Sequence, residues 1–472
     1  MLFQTPEFGL LLIATLVAFY ALARGHRLSV LAIASLIFYA ASGLLDFALL
    51  MATILVSYGL SKRVQPGGQK WPIYAGIIML MGALAYFKYS DFLYDSLNGA
   101  LTNTVYFGRP SFLDTVLPLG ISFYSFQVVA YLVDIYRGRA DHARSLWEYL
   151  TFVMFFPQLI AGPIMRGAEY LGQLRDLKGG TWSDFRAGGM LVLTGLVKKV
   201  VIADTLARFV DARFAAESFS QPEAWIAAAL FGFQIYFDFS GYVDMALGLA
   251  RMFGLKLRQN FFTPYLSRNP SEFWTRWHVT LSEWFRDYVY IPLGGNRAGR
   301  GREAFNLLVV MALAGLWHGA GWTFVMWGVI HGSYLVAYRF WPVEGLKRMV
   351  PLRPGLRDGV FRLLAVALMF NLVMLAWIPF RAPDLAASME MFRALIAFPG
   401  LGEWISEAKW IVAIGALFVL HVAEHEARNN LPRTYRVWSR VPSAARGTAY
   451  AAVVIVTVAL SGGQQSFIYF RF

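Results

Sequence analysis

The chain has 472 residues, 57% of them hydrophobic and only 15% charged, with a formal net charge of +13. Apolar residues gathered in long runs are the composition of a polytopic membrane protein and exclude a soluble enzyme, and the positive charge of such a chain belongs to cytoplasmic loops rather than to a nucleic-acid surface. Cysteine is absent, which excludes disulfides, thiolate metal sites, S-palmitoylation and a cysteine nucleophile.

A helix needs about 20 mostly apolar residues to cross a hydrocarbon core about 30 Å thick. Runs at 8–23, 28–44, 71–87, 116–135, 224–253, 321–339 and 359–379 approach or reach that length. Those at 46–60, 147–162, 187–203, 304–317, 409–422 and 447–461 are shorter or interrupted and read as tilted, half-crossing or interfacial helices. Together they predict an all-α chain with about eleven to thirteen membrane helices. The first run lacks a basic flank and a second follows at once, so it reads as a retained helix. With no repeat, low-complexity tract or long hydrophilic insert, residues 1–472 read as one membrane domain.

Basic residues of short loops stay cytoplasmic. Arg24 and Arg27 lie in one such loop, and Lys62, Arg63 and Lys70 lie two spans later on the same side. The amino terminus is therefore expected to face outward. Segment 88–115 is net acidic and fits the outer face, and Arg137, Arg139 and Arg144 return the chain to the cytoplasm. The prevalence of arginine over lysine hints at a GC-rich bacterial source.

Segment 256–302 holds eight basic residues against three acidic ones, interleaved with Phe261, Phe262, Tyr265, Phe273, Trp274, Trp277, Trp284, Phe285, Tyr288 and Tyr290. This pattern predicts helices lying partly in the membrane interface, either as ordinary aromatic and arginine anchors or as a surface for a phosphorylated donor.

An ionisable residue inside a membrane segment is costly and is a functional candidate. His318 lies between apolar segments with Gly315, Gly319 and Gly321 around it. Such glycines allow close backbone or substrate approach and can break a helix at membrane depth. A neutral imidazole there can take a hydroxyl proton as attack on a thioester begins; a hydrogen-bonding bridge between helices is the structural alternative. His278 can position a donor, an acceptor or His318, and His331 reads as a packing or interhelical hydrogen-bonding residue. Asp238 and Asp244, six apart, share no helical face unless the helix breaks near Gly241. They read as supports, paired with an intramembrane cation such as Lys198 or Lys199. His421-Val422-Ala423-Glu424-His425 matches the H-x-x-E-H pattern of some zinc peptidases, but a five-residue match is short, and no downstream acidic ligand exists after Glu426. Motifs of serine hydrolases, P-loop ATPases and dinucleotide-binding folds are missing.

Several segments do share a pattern: Leu117-Pro118-Leu119-Gly120-Ile121-Ser122-Phe123-Tyr124, 156–164, Asp238-Phe239-Ser240-Gly241-Tyr242, Phe273-Trp274-Thr275-Arg276-Trp277-His278, 291–296 and Gly315-Leu316-Trp317-His318-Gly319. In these the sequence resembles the membrane-bound O-acyltransferase family, in its bacterial branch for O-acetylation of alginate and other polysaccharides. The resemblance implies a ring of membrane helices around a thinned centre, with a cytoplasmic donor entrance and an outer funnel meeting at the histidine, and catalytic segments at about 231–332. It implies His318 as the catalytic residue and His278 as a second functional polar position. Trp317, Trp277, Arg276, Asp238, Asp244 and Asn296 then become donor-binding or supporting positions, and 256–302 part of the donor-facing wall. No bound cofactor or metal is implied. The donor is a thioester, acetyl-CoA or an acyl carrier protein, and the expected partners are a periplasmic acetyltransferase and a polysaccharide acceptor, at a bacterial inner membrane. D-alanyl transfer to teichoic acid and non-enzymatic glycan or lipid transport are the alternatives.

Overall fold

The computed structural model describes residues 3–101, 116–216, 218–297, 299–341, 354–397, 400–460 and 467–468. Among these every regular element is helical, as expected of backbone in lipid, where each N–H and C=O must find its partner within the segment. Five helices are long and apolar enough to cross a membrane: Leu44–Ser61, Trp71–Gly99, Gln221–Met252, Arg357–Arg381 and Ala408–Asn429. Pro6–Ala21 and Ile121–Tyr136 are apolar but shorter. Fewer helices therefore meet the criterion among the described residues than the eleven to thirteen expected, because several apolar runs build short helices or carry charges at one end. Residues 102–115 of the acidic 88–115 segment lie outside the described residues.

The chain forms two compact units, Met1–Gly195 with Tyr242–Gln259, and Leu196–Gly241 with Asn260–Phe472. In the first, Pro6–Ala21 begins with Thr5 accepting the Phe8 N–H and proline in the opening turn, an ordinary helix start. The 147–162 run is not one helix: Leu146–Met154 stops, and residues 155–165 continue as buried, irregular backbone. A Cβ on Gly162 would sit 2.5 Å from the Gln158 Cα, so this turn requires glycine. The Ser35 hydroxyl accepts the Phe156 N–H at 3.1 Å, which is how non-helical chain is satisfied away from water. Elsewhere Gly188 and Gly248 bring the helices Trp182–Leu196 and Gln221–Met252 together, since a Cβ on Gly188 would lie 2.6 Å from the Gly248 carbonyl oxygen. At the ends of these helices Arg251 donates to Asp184 at 3.0 Å. Hydrogen bonds from the Thr181 hydroxyl and N–H, and then from Arg251, hold the Asp184 carboxyl down at about 2.

The second unit opens on a π-helical turn, Val197–Ala203, that buries Lys198 and Lys199. It also contains the hairpin of Arg300–His318 and Trp322–Phe340, the long Pro354–Arg381 helix, and Ala408–Asn429. The Gln221–Met252 helix runs unbroken past Gly241, so Asp238 and Asp244 project from different sides of one continuous helix. Segment 256–302, expected to form helices, is irregular over much of its length. It folds into short pieces, Pro270–Trp274, Val279–Phe285 and a π-helical turn Arg286–Tyr290, and it buries Phe261, Tyr265, Phe273, Trp277, Trp284 and Phe285. Irregular backbone away from water is tolerated where protein encloses it, and these buried aromatic side chains pack around it.

Candidate active site

His318 is the last residue of the Arg300–His318 helix, and three residues later the chain reverses into Trp322–Phe340. The glycines around it serve this reversal. A Cβ on Gly315 would lie 2.1 Å from the Phe324 carbonyl oxygen, one on Gly328 would lie 2.2 Å from the Met311 carbonyl oxygen, and one on Gly319 would enter the Phe324 ring. With hydrogen in place of Cβ the two helices approach backbone to backbone, and His318 is held at the corner.

The imidazole is 3% exposed and is walled by rings. Trp317 lies 5.0 Å away between centroids, Trp327 5.0 Å and Phe380 5.3 Å, all edge-on. Edge-to-face packing of this kind fixes ring orientation as well as position. Trp327 also contacts His331 at 4.9 Å and stacks on Trp377 at 6.0 Å. His331 itself lies parallel to Phe273 at 5.6 Å, within an aromatic cluster, in keeping with a packing role.

His278 reaches the same cluster from another element. Trp317 touches both imidazoles, with His278 at 5.9 Å and a 78° interplanar angle. His278 is fully buried and has φ 42°, ψ 52°, a left-handed conformation that costs a non-glycine residue about 1–3 kcal/mol unless its surroundings impose it. Asn260 is part of that constraint: its carbonyl accepts the Val279 N–H at 3.1 Å, and its side-chain oxygen accepts the Thr280 N–H at 3.0 Å and the Thr280 hydroxyl at 2.8 Å. The His278 ring also meets Phe239 edge-on at 4.8 Å.

The remaining sequence candidates divide. Trp277, fully buried, packs on Trp377 at 5.0 Å and so joins the same aromatic wall. Arg276 ion-pairs with Glu272 at 2.7 Å, a carboxylate it shares with Arg268. Asn296 is exposed on the 291–297 turn, whose shape is held by Asn306 donating to the Gly295 carbonyl at 3.0 Å. Asp238 pairs with Lys199 at 2.6 Å, and the same ammonium binds Asp204 at 2.7 Å. Asp244 is buried on the part of its helix that belongs to the first unit. Sequence reasoning missed Trp327, Trp377 and Phe380; the four-residue spacing of Trp327 and His331, which puts both on one helical face, was a signal that could have found the first.

The H-x-x-E-H segment is built as a tie between helices. Glu424 accepts from Lys198 at 2.5 Å, from the Tyr236 hydroxyl at 2.8 Å and from Arg428 at 2.9 Å. The His425 Nδ1 lies 2.7 Å from the Thr263 hydroxyl, and the His421 Nε2 accepts the Tyr265 N–H at 3.3 Å. Three donors, two of them cationic, suit a carboxylate in a structural ion cluster. Glu424→Gln leaves the buried Lys198 ammonium facing a neutral amide, and is expected to lower stability by about 3 kcal/mol. Thermal unfolding of the detergent-purified protein checks this, and a variant as stable as the parent would show that the cluster carries no such load.

Comparison with known proteins bears on what this cluster of rings is for. The sequence model described as MBOAT, membrane-bound O-acyltransferase family, matches residues 31–376, which include both His278 and His318. The probable alginate O-acetylase AlgI of Azotobacter vinelandii is 39% identical over 415 residues, 86% of this chain and 79% of the relative. The peptidoglycan O-acetyltransferase of Helicobacter pylori is 36% identical over 404 residues, 79% and 74% of the two chains. The teichoic acid D-alanyltransferase of Streptococcus thermophilus is 28% identical over 281 residues, 56% and 68%. With a match across most of its length, and helices long and apolar enough to cross a membrane several times, this chain belongs to the membrane-bound O-acyltransferase family and is an all-helical, polytopic membrane acyltransferase.

Proposed function

We propose that the protein moves an acetyl group from a cytoplasmic thioester, acetyl-CoA or an acyl carrier protein, toward an exported or cell-surface polysaccharide, with His318 as the general base. The observation that carries this reading is a single imidazole fixed at a helix end by Trp317, Trp327 and Phe380, with a second imidazole, His278, across Trp317. In the reaction a His318 nitrogen takes the proton of an acceptor hydroxyl as its oxygen attacks the thioester carbonyl. The tetrahedral intermediate collapses with loss of the C–S bond, and the proton on His318 passes to the departing thiolate, leaving an ester and a free thiol. His278 helps fix the reacting groups, and the closed aromatic wall keeps water from hydrolysing the thioester.

Acetyl transfer to a polysaccharide follows the names of the alginate and peptidoglycan relatives, and the arginines of the early loops favour an inner-membrane protein with an outward amino terminus. A periplasmic acetyltransferase completes transfer to the glycan. The test uses inside-out membrane vesicles with labelled acetyl-CoA, the periplasmic partner and glycan, following free CoA and label together. Release of CoA with label appearing in glycan is expected. Consumption only of an acyl-loaded carrier protein would change the donor, and no thioester consumption with gradient-dependent glycan movement would replace the enzyme reading by transport.

A further inference from the structure

The Asp238–Lys199 pair leaves one carboxylate oxygen for another purpose. Lys199 sits between Asp204 Oδ1, at 2.7 Å, and Asp238 Oδ1, at 2.6 Å. The second oxygen, Asp238 Oδ2, accepts the backbone N–H of Ile468 at 2.7 Å, across 230 residues of sequence. Ile468 and its neighbour Phe467 are each 3% exposed, so this short piece of chain is sunk into the second unit. The Phe467 ring meets Phe239 edge-on at 5.7 Å, and Phe239, the residue after Asp238, meets His278 edge-on at 4.8 Å. One contact series thus runs from Ile468 through Asp238, Phe467 and Phe239 to an imidazole whose backbone is in the left-handed region.

We propose that Phe467 and Ile468 form a positioning latch for His278, in which Asp238 holds the Ile468 backbone and Phe467 braces Phe239 against the imidazole. Three features make the arrangement suited to this. Asp238 shares the Lys199 ammonium with Asp204, so its carboxylate keeps part of its charge and is a strong acceptor for a backbone N–H. Edge-on ring contacts transmit orientation. A non-glycine residue at positive φ keeps its conformation only while its surroundings over-determine it; Asn260 holds the backbone that follows, and Phe239 packs on the ring. Asp238 acts on the site through Phe239 and Ile468 and is a positioning residue. The catalytic consequence rests on the reading of His278 as part of the reacting site; the latch itself does not.

The experiment compares the full-length parent in membrane vesicles with Phe467→Ala, Phe467→Leu and Ile468→Pro, the last of which deletes the N–H that Asp238 accepts. Carbethoxylation of histidines by diethylpyrocarbonate, read residue by residue by mass spectrometry, reports access to His278, and His331 serves as the internal control because it is equally buried but packed on Phe273 and Trp327. Phe467→Ala and Ile468→Pro are expected to raise modification of His278 several-fold relative to His331, and to lower kcat about tenfold at little-changed KM, as small misplacements of catalytic groups do. Phe467→Leu is expected to restore both readouts in large part. Unchanged His278 modification, or an equal rise at His278 and His331, would overturn the latch. Because modification needs no turnover, a parent that consumes no thioester would sink the proposed reaction while leaving the latch measurable.

Discussion

His318→Ala is expected to lower acyl transfer by about 10²–10⁴-fold, the range contributed by a positioned general base. The loss should fall on kcat, since an apolar replacement removes the proton acceptor and leaves the aromatic walls that bind and enclose the reactants. Trp327 packs on Phe380 at 5.3 Å and on Trp377 at 6.0 Å, and Trp317 also meets His278, so the wall does not depend on the His318 imidazole alone. The variant should therefore reach the membrane folded, which gel filtration in detergent and thermal unfolding would establish. Labelled acetyl transfer and CoA release are then measured per folded protein. Turnover within about tenfold of the parent would leave His318 a structural bridge between the hairpin and the Pro354–Arg381 helix, and the general-base mechanism would be abandoned.

Gly328→Ala is expected to cost both stability and activity out of proportion to one methyl group. Its Cβ would meet the Met311 carbonyl oxygen at 2.2 Å and the Ala312 Cα at 2.9 Å, and backbone atoms cannot rotate out of the way. The hairpin must open, with a penalty of about 1–3 kcal/mol or more for overpacking. Opening it moves His318 on one helix away from Trp327 on the other, so transfer should fall at least tenfold, by the sensitivity of catalysis to displacements of about 1 Å. Gly415→Ala is the control. It lies within the Ala408–Asn429 helix with open space where the methyl would go, and is expected to stabilise by roughly 0.8–1 kcal/mol through helix propensity alone. If unfolding temperature and transfer rate respond alike to the two substitutions, the close approach of the hairpin is not what places His318.

The interplay of glycine and histidine near 318 shows where sequence reading succeeded and where it stopped. Glycines beside a histidine between apolar segments announced a close backbone approach, and the hairpin is that approach. What faces His318, however, comes from Trp327 on the returning helix and from Phe380 on a helix some 60 residues later, and no local pattern links them. His278 was found as a polar residue in an aromatic stretch, while its left-handed backbone and its meeting with Trp317 are products of packing. The aromatic residues of 256–302 were legible as a feature, but that six of them are buried in protein and Phe262 is exposed was not. Periodicity and composition count apolar side chains without saying whether lipid or protein lies against them.

That this chain is helical, crosses a membrane several times and carries a histidine in an apolar setting was legible from its residues, because a bilayer imposes run length, internal hydrogen bonding and a penalty on buried polarity that each act within a segment. Its motifs also carried the family. Packing in three dimensions chose the ion pairs: Asp238 takes Lys199 and Glu424 takes Lys198, though the two lysines are adjacent. It alone joined Ile468 to Asp238 and set two imidazoles on one tryptophan. Ion pairs and ring contacts act over a few ångströms of space, and sequence separation places no bound on which residues the fold brings within that distance.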